Sequence, residues 1–243
     1  MKRIKNVILI LFAAGFLFWS CDYGQLGDAD RTDTYYPQDA LFKERMDFLC
    51  GTWYSHYAGI GRLDGYRIRK WSDFAAEDKA MAKVQFPNLN VDNPKTYSAG
   101  EPSQNSYYVV LYDDTVYGQE DDGSGGGESW SFGFMGLVSA INIFNGDKDR
   151  GALVIEYFEG ADPLWLSGQG LTRGEKPFFG IYYKVLDSDT VQMANAVNLA
   201  ALYAGEAYYT EQGTLDEAVK TFNVENEAEF ISWGVVTPQE REK

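Results

Sequence analysis

The chain has 243 residues and a formal net charge of −15, with 36 acidic side chains against 21 basic ones. This charge disfavours binding to nucleic acid and electrostatic adhesion to anionic lipid, because both partners are negatively charged. Aromatic residues make up 16% of the chain and only two cysteines are present, so the composition favours pleated, aromatic-rich surfaces over a disulfide-stapled scaffold.

The N-terminus is organised like a secretory signal peptide. Three basic residues precede an apolar run from Val7 to Trp19, which is shorter than the roughly 20 residues that a membrane-spanning helix needs. The run continues into Ser20 and Cys21 and resembles a relaxed lipobox, with Leu17 one place early. The resemblance implies cleavage before Cys21 and attachment of acyl chains such as palmitate, which would hold the protein stably on a membrane. An ordinary secretory signal and an uncleaved anchor are the alternatives.

These features divide the chain into three parts. Residues 1–20 are the predicted lipoprotein signal peptide, and residues 21–40, rich in Asp and Gly, are predicted to form a disordered tether. Residues 41–243 are predicted to form a single β-rich domain. Loss of the signal and its three cations changes the net charge from −15 to −18. We therefore expect a protein of the cell envelope, lipid-anchored to the outer or inner membrane and facing the periplasm or the surface.

Short strands separated by turns dominate the predicted domain. Apolar spacing predicts a helix over 41–50, and residues 72–84 suit another. Alternating or β-rich segments predict strands over 52–58, 66–71, 107–112, 129–134, 137–144, 152–158, 177–186 and 191–194. The glycine-rich segment 120–128 is typical of a hairpin tip or a lid.

The C-terminal part has a different character. Residues 196–204 predict a helix that ends at Gly205, and Thr214-Leu-Asp-Glu217 matches a capping box that opens a helix over 215–222. Residues 230–236 predict the last strand, before a charged tail. The fold class is therefore mainly β (β-rich α+β): an antiparallel barrel or sandwich with short C-terminal helices before a last strand.

Leu49-Cys-Gly-Thr-Trp-Tyr54 is similar to the Gly-x-Trp signature at the first strand of lipocalins and other calycins. The resemblance implies a lipocalin-like barrel in which Trp53 closes the floor, Gly51 allows close backbone approach beneath it, and an apolar ligand enters the open mouth. Tyr57 alternates onto the same predicted face as Trp53 and is a further pocket candidate. The family also packs an Arg on this Trp near the last barrel strand, and the segment between Val191 and Ala196 contains none.

Residues with catalytic potential are few. The single histidine, His56, lies on a predicted strand, on the opposite face from Trp53, where a surface or cross-strand role is expected. Cys50 is left unpaired once Cys21 is acylated, and it follows two apolar residues that favour packing as a small hydrophobe. Four carboxylates could in principle form a hydrolytic pair, and no pair stands out: Glu156, Glu159, Glu206 and Glu211.

Oxygen ligands at alternating positions suggest a metal site. Asn145, Asp147 and Asp149 have the spacing of a calcium loop, although the same residues are ordinary in hairpins. We expect no cofactor apart from the covalent lipid on Cys21.

Three functions remain open from the sequence. The first is a non-enzymatic, membrane-anchored barrel that binds a small hydrophobic ligand or a lipid, which requires a roomy, mostly apolar interior. The second is a surface adhesin or envelope assembly protein that contacts protein partners through loops 87–105 and 120–128. The third is a carboxylate-based hydrolase.

Overall fold

A computed structural model describes residues 30–57, 61–74, 76–114, 130–161, 174–208 and 210–242. The predicted signal peptide, the lipidation site Cys21 and the glycine-rich segment 120–128 lie outside these ranges. The described elements are, in chain order, β1 (Thr32–Tyr35), α1 (Ala40–Leu49), β2 (Gly51–Tyr57), β3 (Gly61–Lys70), a 3₁₀ turn (Trp71–Asp73), α2 (Ala76–Gln85), β4 (Tyr107–Asp114), β5 (Trp130–Phe144), β6 (Asp147–Tyr157), β7 (Phe178–Val185), β8 (Thr190–Asn195), α3 (Leu199–Ala204), α4 (Leu215–Thr221), α5 (Glu227–Phe230) and β9 (Gln239–Arg241).

Strands β2 to β9 form a closed, eight-stranded antiparallel barrel. Each strand pairs with the next along the chain, and β9 pairs back with β2. Strand β9 is three residues long and pairs with Trp53 and Tyr54 of β2 and with Thr190 and Val191 of β8, so the ring closes through a short strand at one end. The prediction of a mainly β, lipocalin-like fold is confirmed, and the architecture is the barrel of the two alternatives.

Strands β4 to β7 carry apolar residues on both faces because helices cover their outer face. On β6, Leu153, Ile155 and Tyr157 point into the barrel, while Ala152 and Val154 point outward. Helices α4 and α5 pack over the outer face of β5 to β7, and α2 with the loop after it packs over β4 and β5. Strands buried on two sides read as nearly continuous apolar runs, as these do.

Helix α1 closes one end of the barrel, which we call the floor. Its apolar side chains Phe42, Met46 and Leu49 are buried in the barrel core. At the rim, Asp47 accepts a hydrogen bond of 2.7 Å from the hydroxyl of Tyr107, at the start of β4, and pairs with Lys70, at the end of β3. The opposite end, where β2, β4, β6 and β8 terminate, is the mouth. No helix in the described ranges is both long enough and apolar enough to cross a membrane.

The predicted tether extends too far into the chain. Thr32–Tyr35 form β1, which pairs with the floor end of β5, Thr32 lying opposite Phe144. Side chains hold the strand as well: Thr34 donates a hydrogen bond of 2.7 Å to Asn142, and Thr32 accepts one of 3.0 Å from the backbone of Val224. These partners are more than 100 residues away, so the local composition could not indicate them.

The two strands predicted over 129–134 and 137–144 are the single strand β5. Gly136, between the two predicted strands, lies where a Cβ would come within 2.5 Å of Ile155. Glycine here allows β5 and β6 to approach closely and does not end the strand.

The predicted last strand at 230–236 is wrong. Phe230 ends α5 and is buried with Ile231 against the outer face of the barrel. The last strand is β9, which overlaps the predicted charged tail at Glu240 and Arg241. The side chain of Gln239 donates to the carbonyl of Met193 at 2.9 Å and accepts from its N–H at 2.7 Å. Hydrogen bonds between polar side chains and the backbone do not affect the hydrophobic pattern of the sequence, so that pattern could not predict this strand.

Candidate functional site

Arg241 on β9 and Trp53 on β2 join the two strands that close the barrel. The guanidinium carbon of Arg241 lies 4.1 Å from the centroid of the Trp53 ring. The same group donates hydrogen bonds of 2.6 Å to the carbonyl of Cys50 and 2.8 Å to that of Phe48. These carbonyls belong to the C-terminal end of α1, where a cation is favoured. An Arg packed on this Trp is what the resemblance implies, and it lies on β9, not between Val191 and Ala196.

Gly51 and Cys50 surround this contact. Gly51 has a φ of +149°, and a Cβ there would lie 3.1 Å from the Nη1 atom of Arg241. Glycine therefore leaves space for the guanidinium group. Cys50 is partly buried against the barrel core, and burial raises the pKa of its thiol to about 11. The thiol is consequently protonated at neutral pH and is a poor nucleophile.

The interior above the floor is filled by side chains. Trp53 is fully buried, and no member of the core cluster that fills the barrel is more than 5% exposed. The inward side chains include Ile68 near the floor and Leu153 and Ile181 at mid-height. Among the side chains that the structure describes, the barrel therefore has no roomy interior of the kind that a deep ligand site needs.

Open space occurs at the floor end, where Gly51 and Ile68 line an open depression of about 340 Å³, and also at the mouth. A cavity of about 200 Å³ lies where β6 and β8 end and β7 begins. The segment around Gln212 completes its wall, because Gln212 forms a β-bridge with Phe178 at the start of β7. The cavity is lined by Tyr157, Phe179, Asn195, Ala196, Val197, Tyr208 and Glu211.

Aromatic rings form the base of the cavity. The ring of Phe179 stacks on that of Tyr157 with centroids 4.3 Å apart and 18° between the planes. Phe134 contacts Phe179 edge-on at 4.5 Å. The three rings are buried to 5% exposure or less. Of the three, Tyr157 and Phe179 line the cavity and form an apolar part of its wall.

Glu211 places a carboxyl group in the cavity wall. Its side chain is 6% exposed, and its Oε2 atom has no hydrogen-bond partner among the described residues. The other interactions of the group include a hydrogen bond from the side chain of Tyr157. Burial raises the pKa of Glu211, although its own backbone N–H, Tyr157 and the charge of Lys176 act in the opposite direction. Nearby, Asn195 accepts a hydrogen bond of 3.2 Å from Tyr66.

The pocket candidates taken from the sequence lie elsewhere. Trp53 and Gly51 are at the floor, at the opposite end of the barrel from the cavity. The side chains of Tyr57 and His56 lie outside the described part of the structure. The pairing of β2 with β3 shifts register between Tyr54 and His56.

The calcium-loop candidates belong to the hairpin between β5 and β6. Asn145 and Gly146 have φ values of 57° and 70°, which a tight turn requires. Asp147 accepts a hydrogen bond of 3.0 Å from the backbone of Asp149, and Asp149 pairs with the buried Arg45 at 3.0 Å. Among the described residues, no group of three or more His, Cys, Asp and Glu is arranged to hold a metal ion. These side chains make turn and floor contacts.

The four carboxylates considered from the sequence do not come together. Glu156 is fully buried on the outer face of β6, where it accepts a hydrogen bond of 2.8 Å from the hydroxyl of Ser98. Glu159 and Glu206 are exposed. Only Glu211 of the four lines the cavity, and sequence reasoning did not single it out. No protein-family model, curated protein or solved structure matches this chain.

Proposed function

We propose that this protein is a lipid-anchored binding protein whose barrel mouth takes up a small, mostly apolar ligand. The observation that supports this function is the cavity of about 200 Å³ with its stacked Tyr157 and Phe179 rings. Concave, apolar surfaces with a few polar groups are the usual form of ligand sites. In a closed barrel with one end sealed by α1, the mouth is also the natural point of entry.

The volume of the cavity limits the size of the ligand. Drug-sized ligands occupy roughly 300–1,000 Å³, and this cavity is smaller. A long acyl chain would need to extend towards the floor, where Ile181 and Leu153 fill the barrel. The ligand is therefore a compact molecule, about the size of one aromatic ring with a short side chain, and not a complete lipid.

A cavity-filling variant tests this function. Phe179→Trp adds volume at the base of the cavity and is expected to remove ligand binding while the protein remains folded. The matched control is Leu202→Ser on α3, because Leu202 is an exposed apolar residue outside the cavity lining. Native mass spectrometry of the full chain, released from detergent, should show a bound small molecule in the wild type and in Leu202→Ser. Wild-type protein that is empty in repeated preparations would contradict the proposal.

The anchor is tested separately. Metabolic labelling with radioactive palmitate is expected to label the wild-type chain and not a Cys21→Ser variant. Cys50→Ser is the control, since its thiol is protonated and partly buried in the folded domain. Equal labelling of wild type and Cys21→Ser would show that Cys21 is not acylated.

A protein partner is the second candidate function, and α3 supports it. This helix has the uncharged sequence Leu-Ala-Ala-Leu-Tyr-Ala and contains no buried residue. Tyr203 is 75% exposed and Leu202 39% exposed. Exposed apolar side chains that cluster on one helix are typical of contact surfaces. Loss of a co-purifying protein in Leu202→Ser, with ligand binding intact, would favour this function.

A further inference from the structure

The carboxyl group of Glu211 is incompletely satisfied. Its Oε2 atom is buried and has no hydrogen-bond partner among the described residues. A buried polar group without a partner costs free energy, and a charged one costs more. A ligand that donates to this oxygen would remove the cost when it binds, so the unpartnered atom indicates which chemical group the ligand presents.

The charge around the cavity favours a cation. Its described lining contains one acidic residue, Glu211, and neither Lys nor Arg. The cation that acts on Glu211 is Lys176, whose own side chain is exposed. The whole chain carries a net charge of −15, which attracts positively charged solutes to the surface. A carboxylate ligand such as a fatty acid would instead place a second negative charge beside Glu211.

The aromatic base of the cavity adds a second recognition element. Tyr157 both stacks on Phe179 and forms a hydrogen bond with Glu211, so an aromatic ring and a carboxylate lie next to each other in the cavity wall. An ammonium group within about 6 Å of a ring centroid is attracted to the ring face, in addition to its attraction to a carboxylate. The side-chain carbonyl oxygen of Asn195 accepts a hydrogen bond from the hydroxyl of Tyr66 and has a second lone pair for a further N–H donor.

From these observations we infer that the ligand is a small amine: its ammonium group pairs with Glu211, and its apolar body lies against Tyr157 and Phe179. This inference rests on the proposed function. It excludes fatty acids and other anions, which the sequence alone left open as hydrophobic ligands.

Three near-isosteric probes separate charge from shape: 2-phenylethylamine, 2-phenylethanol and 3-phenylpropanoate. Binding of each to the full chain in a non-ionic detergent is measured at pH 7 by isothermal titration calorimetry, with detergent alone as the blank. The amine is expected to bind at least about tenfold more tightly than the alcohol, as one charge-assisted hydrogen bond implies. The carboxylate is expected to bind more weakly than the alcohol.

Glu211→Gln keeps the shape of the side chain and removes its charge. We expect this variant to bind the amine at least about tenfold more weakly and the alcohol as the wild type does. Glu206→Gln is the matched control, because Glu206 is an exposed carboxylate five positions earlier in the chain. Circular dichroism confirms that each variant is folded.

The outcomes distinguish the inference from the proposed function. Equal binding of amine and alcohol by the wild type, or an unchanged amine affinity in Glu211→Gln, overturns the inference and leaves an apolar ligand site in place. If none of the three probes binds, both the inference and the proposed function of the mouth fail.

Discussion

Replacement of Arg241 by Ala should destabilise the whole domain, because this side chain joins the last strand to the floor. The substitution removes two hydrogen bonds, of 2.6 and 2.8 Å, to the carbonyls of Cys50 and Phe48, and the contact with the Trp53 ring. Hydrogen bonds to a charged group contribute roughly 1.5–3 kcal/mol each, and an exposed cation–π contact about 0.5–1 kcal/mol.

The side chain of Arg241 is 26% exposed, so water can replace part of these interactions. We therefore expect a loss slightly below the lower end of the sum, about 3 kcal/mol in the free energy of unfolding. That loss is large compared with a total stability of about 5–15 kcal/mol for a typical domain.

Urea unfolding followed by circular dichroism measures the change. With a slope of about 2 kcal/mol per molar urea, the midpoint of Arg241→Ala should fall by about 1.5 M. Arg241→Lys should recover less than half of the loss, because a lysine cannot donate to both carbonyls while it stacks on the ring. Glu240→Ala on the same strand is the control, since Glu240 is exposed and pairs through its backbone. A midpoint for Arg241→Ala within about 0.3 M of the wild type would refute this account of barrel closure.

Three further predictions concern buried groups. Because burial raises the pKa of Glu211 above its usual 4.5, the protonated form favours the fold, and the wild type should lose stability as the pH rises through that pKa. Glu211→Gln should therefore be more stable than the wild type at pH 8 and equal to it at low pH. A difference in melting temperature that does not change with pH would disprove this prediction. Gly180→Ala should lower the free energy of unfolding by about 1–3 kcal/mol, because its Cβ would come within 2.6 Å of the Phe222 ring. Gly234→Ala is the control and should be nearly neutral, since a Cβ there meets open space. Equal melting temperatures of the two variants would contradict this prediction. The pKa of Cys50 near 11 predicts that the rate of alkylation by iodoacetamide in the native state increases only as the pH approaches 11. A rate profile centred on the usual pKa of 9.0 would show that the thiol is not buried as described.

Elements whose determinants are local could be predicted from the sequence. Helix α4 begins at the predicted capping box, in which the Thr214 side chain accepts from the Glu217 backbone at 3.2 Å. The apolar spacing in 41–50 corresponds to α1, whose Phe42, Met46 and Leu49 are buried. In both segments the residues that decide the structure are within one or two turns of each other, so a short window of sequence contains the necessary information.

Features that depend on distant partners could not be predicted. Strand β9 is held in place by two of its side chains. Gln239 bonds to Met193, 46 positions away, and Arg241 bonds to Phe48, 193 positions away. A charged, polar tripeptide has no strand-like pattern of its own. The cavity is similar: Tyr157, Asn195 and Glu211 come together only after β6, β8 and the following segment have been placed by the sheet. Glu211 therefore looks like any acidic loop residue in the sequence.

The pairing of β1 with the floor end of β5 determines how an anchored molecule would stand. Ten residues separate Cys21 from Thr32, so the chain between them is short and joins the barrel at its floor end. Strand β6, with 11 residues, gives a barrel height of about 28 Å at the usual tilt. With Cys21 acylated, the end closed by α1 would face the bilayer and the mouth would open away from it. The protein would then bind solutes of the aqueous compartment and would not extract molecules from the leaflet to which it is anchored.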